Sequence, residues 1–239
     1  MLLISCDQPA PLSFENLHLD LENRTDCNDY PCPLIDLDYP VAIGEDAVSI
    51  AISDGLEQRV IGSFQMNPDI PRASTVEEAM QQFIDTYRSD KAEFPDMSGQ
   101  YEVSIGIEES FRNSTIICFR QGDFKYTGGA HGNGQTLYQI FDLNSGEEIP
   151  FDQLIKDREG LKRLAEEKFR QKFDINASES INSPGFWFDN ELFELPETMG
   201  FENEELMLIY NTYEIASYAD GTVEVGIPLD EVMPFLELD

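Results

Sequence analysis

One stretch of the chain carries a clear helical stripe of hydrophobic residues. Over residues 74–91, Val76, Ala79, Met80, Phe83, Ile84 and Tyr87 recur at three- and four-residue steps, which is the signature of an amphipathic helix. Thr75 with Glu78, or Ser74 with Glu77, offers a capping box at its start. A second helix is predicted over 46–61, where Val48, Ala51, Ile52, Leu56 and Val60 keep near-helical spacing. A third is predicted over 158–173, with Leu161, Leu164, Ala165, Phe169 and Phe173 on one face. Prolines at 68 and 71 break the pattern between the first two.

Elsewhere the pattern is that of strands. Tyr101, Val103, Ile105 and Ile107 alternate with polar neighbours, and 33–40 holds Leu34, Ile35, Leu37 and Tyr39. Further strands are predicted over 114–126 (interrupted near Gly122), 135–143, 206–210, 213–218 and 222–227. Turn signals lie at Gly128-Gly129-Ala130-His131-Gly132, at Asn144-Ser145-Gly146 and at Asp220-Gly221. Short helices are expected at 151–155 and 228–236. Helices alternate irregularly with hairpins, so the expected class is α+β: antiparallel sheets with a few packed helices, in two closely associated subdomains.

Charge narrows the function. The 239 residues carry 47 Asp and Glu against 15 Lys and Arg, a formal net charge of −32. A nucleic-acid binder needs a cationic footprint, and so does a polybasic hold on anionic lipid. With 41% hydrophobic residues the chain is also too apolar for an acidic disordered tail. The acidity is uneven: residues 173–239 hold 16 acids and no base, and seven of the 15 bases lie within 156–172. Two readings follow, a solvated salt-adapted surface or a face that steers a basic partner.

The start of the chain suggests export. Leu3-Ile4-Ser5-Cys6 matches a bacterial lipobox, whose Cys becomes the lipidated first residue, and residues 7–28 read as a polar tether. No basic, apolar leader precedes Cys6 as written; a start assigned too late leaves such a stub. Cys27 and Cys32 frame a turn containing Pro31 and are expected to pair as a disulfide. Zinc needs four ligands, and no second Cys or His pair exists. Cys118, in an apolar run, is expected to be a buried thiol. This usage fits an oxidising envelope compartment.

Catalytic motifs are scarce. There are two histidines, His18 in the tether and His131 in the Gly-rich turn. No Gly-x-Ser-x-Gly elbow and no His-Glu-x-x-His occurs. The glycines at 128–134 lack the third position and the helix of a dinucleotide site. Asp142-Leu143-Asn144-Ser145-Gly146 places its Gly one position early for a calcium loop and reads as a hairpin turn. No metal or cofactor is expected. His131 either is exposed and functional or fixes the turn by hydrogen bonding, and the second role is favoured. A hydrolase built from dispersed carboxylates remains a minor alternative.

Three segments together resemble a known family: Tyr126-Thr-Gly-Gly-Ala-His-Gly132, then Phe141-Asp-Leu-Asn-Ser-Gly-Glu-Glu-Ile149 leading into Asp152-Gln-Leu-Ile155, then Tyr213-Glu-Ile-Ala-Ser-Tyr-Ala-Asp-Gly221 with Pro228. In this order they look like the envelope domain pair of RsiV-type anti-sigma factors and PdaC-type peptidoglycan deacetylases. Members often have Pro where this chain has Ser217. The resemblance runs from about Cys32 to the end and implies an N-terminal module over 28–130 and a C-terminal module over 131–239, after a lipoprotein-like stub and tether over 1–27. Gly128, Gly129, His131 and Gly132 are then a structural motif, and Tyr213, Tyr218, Ala219, Asp220 and Gly221 are candidate partner contacts. RsiV-type ectodomains receive lysozyme, whereas the pair in PdaC-type enzymes accompanies the chemistry without supplying it.

The resulting expectation is a non-catalytic, lipid-anchored envelope protein. Its partner would be a basic, lysozyme-like protein, and membrane contact would come only through Cys6. The alternative is a peptidoglycan-binding accessory module in which Trp187 and Tyr138 stack on sugar rings.

Overall fold

The computed structural model describes residues 12–67 and 69–238. Cys6 lies outside them. A five-stranded sheet in the order β1-β2-β3-β4-β5 is formed by Ser13–Asp20, Leu34–Ile43, Glu102–Arg112, Ile116–Tyr126 and Asn133–Asp142. Its pairs are antiparallel except β2 with β3, which is parallel. The parallel pair needs a long crossover, supplied by α1 (Ala47–Phe64) and α2 (Val76–Glu93). The purely antiparallel expectation is corrected at this one pair.

Both helices start as their sequences dictate. Asp46 caps α1 by accepting from the Val48 and Ser49 amides, and Thr75 caps α2 by accepting from Glu78 N. Glu78 returns a bond to the Ser74 amide at 2.7 Å. The α2 stripe from Val76 to Tyr87 is buried against Ile35, Leu37, Val103 and Ile105.

A second, three-stranded antiparallel sheet is formed by β6 (Thr198–Glu202), β7 (Glu205–Tyr210) and β8 (Val223–Pro228). The basic helix α3 (Arg158–Lys172) buries Leu161, Ala165 and Phe169 in the core of this sheet. The short α4 (Leu229–Val232) follows β8.

The two cores share a wall. On β4, Ile116 and Cys118 face the core of the second sheet, whereas Ile117 and Phe119 face the helices of the first. The run Ile116-Ile117-Cys118-Phe119 is apolar without alternation because both of its faces are covered. Burial pushes the Cys118 thiol up to about 11. On the neighbouring β5, the Tyr138 ring lies against Gly200 of β6, where any added Cβ would meet it at about 2.1 Å. The expected division at residue 130 therefore runs beside β5, which pairs with β4 while touching the second sheet.

Three local expectations are corrected. The tether read over 1–27 contains β1, paired with β2 from Ser13 to Asp20. Its Leu17-His18-Leu19-Asp20-Leu21 alternation is the strand signal that the polar composition hid. The strand expected over 213–218 is instead two tight turns, at 211–214 and 217–221. The strand expected to break at Gly122 runs unbroken, with Gly122 opposite Gly106.

Candidate functional site

The two turn motifs meet in space. Gly128 and Gly129 hold φ of 93° and 95°, which a β-carbon disfavours, and they bring the chain round to His131 between β4 and β5. The His131 ring stacks on Tyr218 with centroids 3.8 Å apart, and its Nε2 lies 3.3 Å from the Tyr213 hydroxyl. Nδ1 lies 2.9 Å from the Gly132 carbonyl. A carbonyl only accepts, so Nδ1 carries a proton, and Nε2 shares a hydrogen bond with the Tyr213 hydroxyl. Tyr213 and Tyr218 are themselves 5.9 Å apart. His131 is exposed, and its Nδ1 bond lies within the turn.

Tyr213 is held against its own preference. Its φ is 73°, rare for a bulky side chain, while the residue is 53% exposed. Glu214 enforces the turn. Its carboxylate accepts from the Asn211 amide at 2.9 Å and from the Glu197 amide at 3.0 Å. Burial pushes the Glu214 carboxyl above its usual range, against these two N–H groups that favour its charged form. Asn211 anchors the turn to β5, accepting from Thr136 N at 2.8 Å and donating to Thr136 O at 2.9 Å.

The following turn holds Tyr218, Ala219 and Asp220, all exposed, with Gly221 at φ 72°. Here the Ser217 amide donates to Asp220 at 3.1 Å, and its hydroxyl donates at 2.5 Å. A proline at 217 could make neither bond, so this chain closes the loop by a different device.

Other residues singled out by sequence fall elsewhere. Cys27 and Cys32 form a disulfide with Cα atoms 5.4 Å apart. Trp187 is exposed, its indole N–H donating to Glu214 O at 3.2 Å, while Phe186 and Phe188 pack on Phe169. Tyr138 turns inward and donates to Glu202 at 2.9 Å. Its ring is half-buried.

One constellation escaped sequence reasoning. Strand register sets His18 opposite Asp38 and Asp20 opposite Asp36. A ligand atom from each of His18, Asp36 and Asp38 lies within 4.8 Å of the others, a donor set that could take a divalent cation. Asp38 and then Asp20 hold the His18 imidazole above its usual range, so a proton satisfies the same carboxylates. The period-two alternation of both segments was the available signal.

Comparison with known proteins assigns the two halves. Residues 27–134 match the family described as Deacetylase PdaC, and residues 151–230 match the family described as Protein of unknown function (DUF3298). The two matches follow one another along the chain in the order its motifs implied, each over less than half of its length. A DUF3298 family structure from Bacteroides fragilis is 20% identical, with 95% of this chain and 94% of that chain covered, at a TM-score of 0.72. A DUF3298 family structure from Pseudomonas aeruginosa is 15% identical, with 97% and 96% covered, at a TM-score of 0.66. At these identities they share the fold. No curated protein matches.

Proposed function

We propose that this is a non-catalytic envelope binding protein, anchored through a lipid on Cys6, that receives a basic protein partner of the lysozyme type on the Tyr213–Tyr218–His131 patch. The observation that carries the reading is Tyr213: a strained backbone, fixed by Glu214 and Asn211, holds an aromatic ring out to solvent. Strain of this kind costs on the order of 1–3 kcal/mol and persists where surrounding structure imposes it. Exposed aromatic anchors within an acidic surround suit a cationic partner, since aromatics dominate interface energies and opposite potentials raise encounter rates.

Calorimetric titration with lysozyme over a salt series tests the reading. Binding is expected at low ionic strength, weakening as salt rises. Tyr213→Ala and Tyr218→Ala are each expected to weaken it at least about tenfold, equivalent to about 1.4 kcal/mol, with unchanged melting temperature. No binding at low salt overturns the proposal.

Exposed Trp187, tied to the same loop, supports a second reading as a peptidoglycan-binding accessory module. Salt-insensitive retention on insoluble peptidoglycan, lost in Trp187→Ala, would favour it.

A further inference from the structure

A cleft of about 440 Å³ lies between α1 and β5. Its chemistry runs against the rest of the molecule. Arg59 from α1 and Arg72 from the α1–α2 connection both line it, and Glu148 is the single carboxylate among its lining residues. In a chain with 15 bases against 47 acids, that is a local excess of positive charge.

The arginines are oriented by neutral or shared partners. Arg59 Nη2 donates to Glu148 at 3.2 Å, and Glu148 also accepts from Gln139 Nε2 at 3.2 Å. Arg72 donates to the Gln58 carbonyl and has no ion-pair partner among the described residues, so most of its guanidinium fork is unengaged.

The wall of the cleft is polar where a core would be apolar. Gln139 lines it, is 3% exposed, and has no hydrogen-bond partner for its Oε1 among the described residues. Gln121, on the adjacent strand, is 1% exposed with the same unpartnered Oε1. Its Nε2 donates at 3.0 Å to Ser63 Oγ, and Ser63 also lines the cleft. An unsatisfied buried acceptor costs about 1–3 kcal/mol, and an aliphatic residue at either position would avoid the cost. Both oxygens are sealed from solvent, so they make the wall polar from behind, and the groups open to a ligand are the two arginines with Gln58, Ser63, Gln135 and Glu148.

We infer that this cleft binds a sugar acid: one carboxylate for the arginines, with ring hydroxyls to bond Glu148 and the open side chains of Gln58, Ser63 and Gln135. The planar guanidinium matches a carboxylate through paired N–H groups. A single ring fits the volume. A doubly charged phosphate suits the cleft less well, because Glu148 lines it and Asp123 lies behind Ser63 at 3.0 Å.

The test is calorimetry of the intact protein with D-glucuronate, with D-glucose and acetate as controls. Saturable glucuronate binding is expected, with both controls at least about tenfold weaker. Arg72→Ala, at an exposed residue whose loss leaves the core intact, is expected to weaken glucuronate at least tenfold. Absence of saturable glucuronate binding overturns the inference, as does equal binding of glucose or an unchanged affinity in Arg72→Ala.

Discussion

Glu214 shows how one side chain can impose a conformation its neighbour resists. Its carboxylate accepts two backbone amides from separate segments, Glu197 and Asn211, and Tyr213 is carried to φ 73° between them. Glu214→Ala leaves both donors without this acceptor and is expected to cost about 2 kcal/mol, measured by urea denaturation. It should also release Tyr213 and weaken partner binding as Tyr213→Ala does. The pH dependence follows from the raised folded pKa. Just above the ordinary 4.5 the folded state binds more protons than the unfolded, so the contribution of Glu214 to stability falls as pH rises through that window. The variant should lack this slope, and a variant with wild-type stability and the same slope would contradict the assignment. None of this was legible in Tyr213-Glu214-Ile215-Ala216-Ser217-Tyr218. Its apolar spacing reads as a strand, because that reading ignores the i,i+3 side-chain bonds of Glu214 and Asp220 and the distant partners Glu197 and Thr136.

Among the elements, α3 illustrates the opposite case. Its apolar face was readable from spacing, and the structure buries that face under the second sheet. Phe169 is the centre of the contact, with Phe173, Phe186, Phe188, Phe193 and Tyr210 ringed around it at 4.7–5.8 Å. Phe169→Ala is expected to cost about 3–5 kcal/mol, with loss of near-UV dichroism. A cost below 1 kcal/mol would show that α3 docks by other means. β1 was missed for a different reason. Edge strands have one partner and much exposed surface, so polar residues such as Glu15, Asn16 and His18 are tolerated and mask the alternation. With β1 went the His18–Asp36–Asp38 group, which exists only once two strands are paired in register.

For the whole molecule, net charge is the dominant long-range term. The basic helix α3 compensates part of it locally, through Lys162 with Glu194 and Lys168 with Glu231. The remaining acid excess repels itself, and salt screens it: the Debye length falls from about 30 Å at 0.01 M to about 8 Å at 0.15 M. The melting temperature is expected to rise across that range by at least about 3 °C, corresponding to about 1 kcal/mol for a domain of this size. A flat response in scanning calorimetry would mean that the acids are spaced widely enough not to interact.

By itself the amino-acid sequence determined what depends on neighbours along the chain. The α2 stripe with its Thr75 cap, the Cys27–Cys32 pair, the glycines that turn the chain at 128–129 and the buried position of Cys118 all follow from local sterics and periodicity. The tertiary structure alone decided what depends on residues far apart in number. It set β2 parallel to β3, made β4 a wall buried on both sides, placed Arg59 and Arg72 in one cleft with Gln139, and brought His131 against Tyr213 and Tyr218, more than 80 residues away. The physical reason is that backbone preference acts within a few residues. Register, shared cores and converging side chains arise only when separate segments exclude water from the same space.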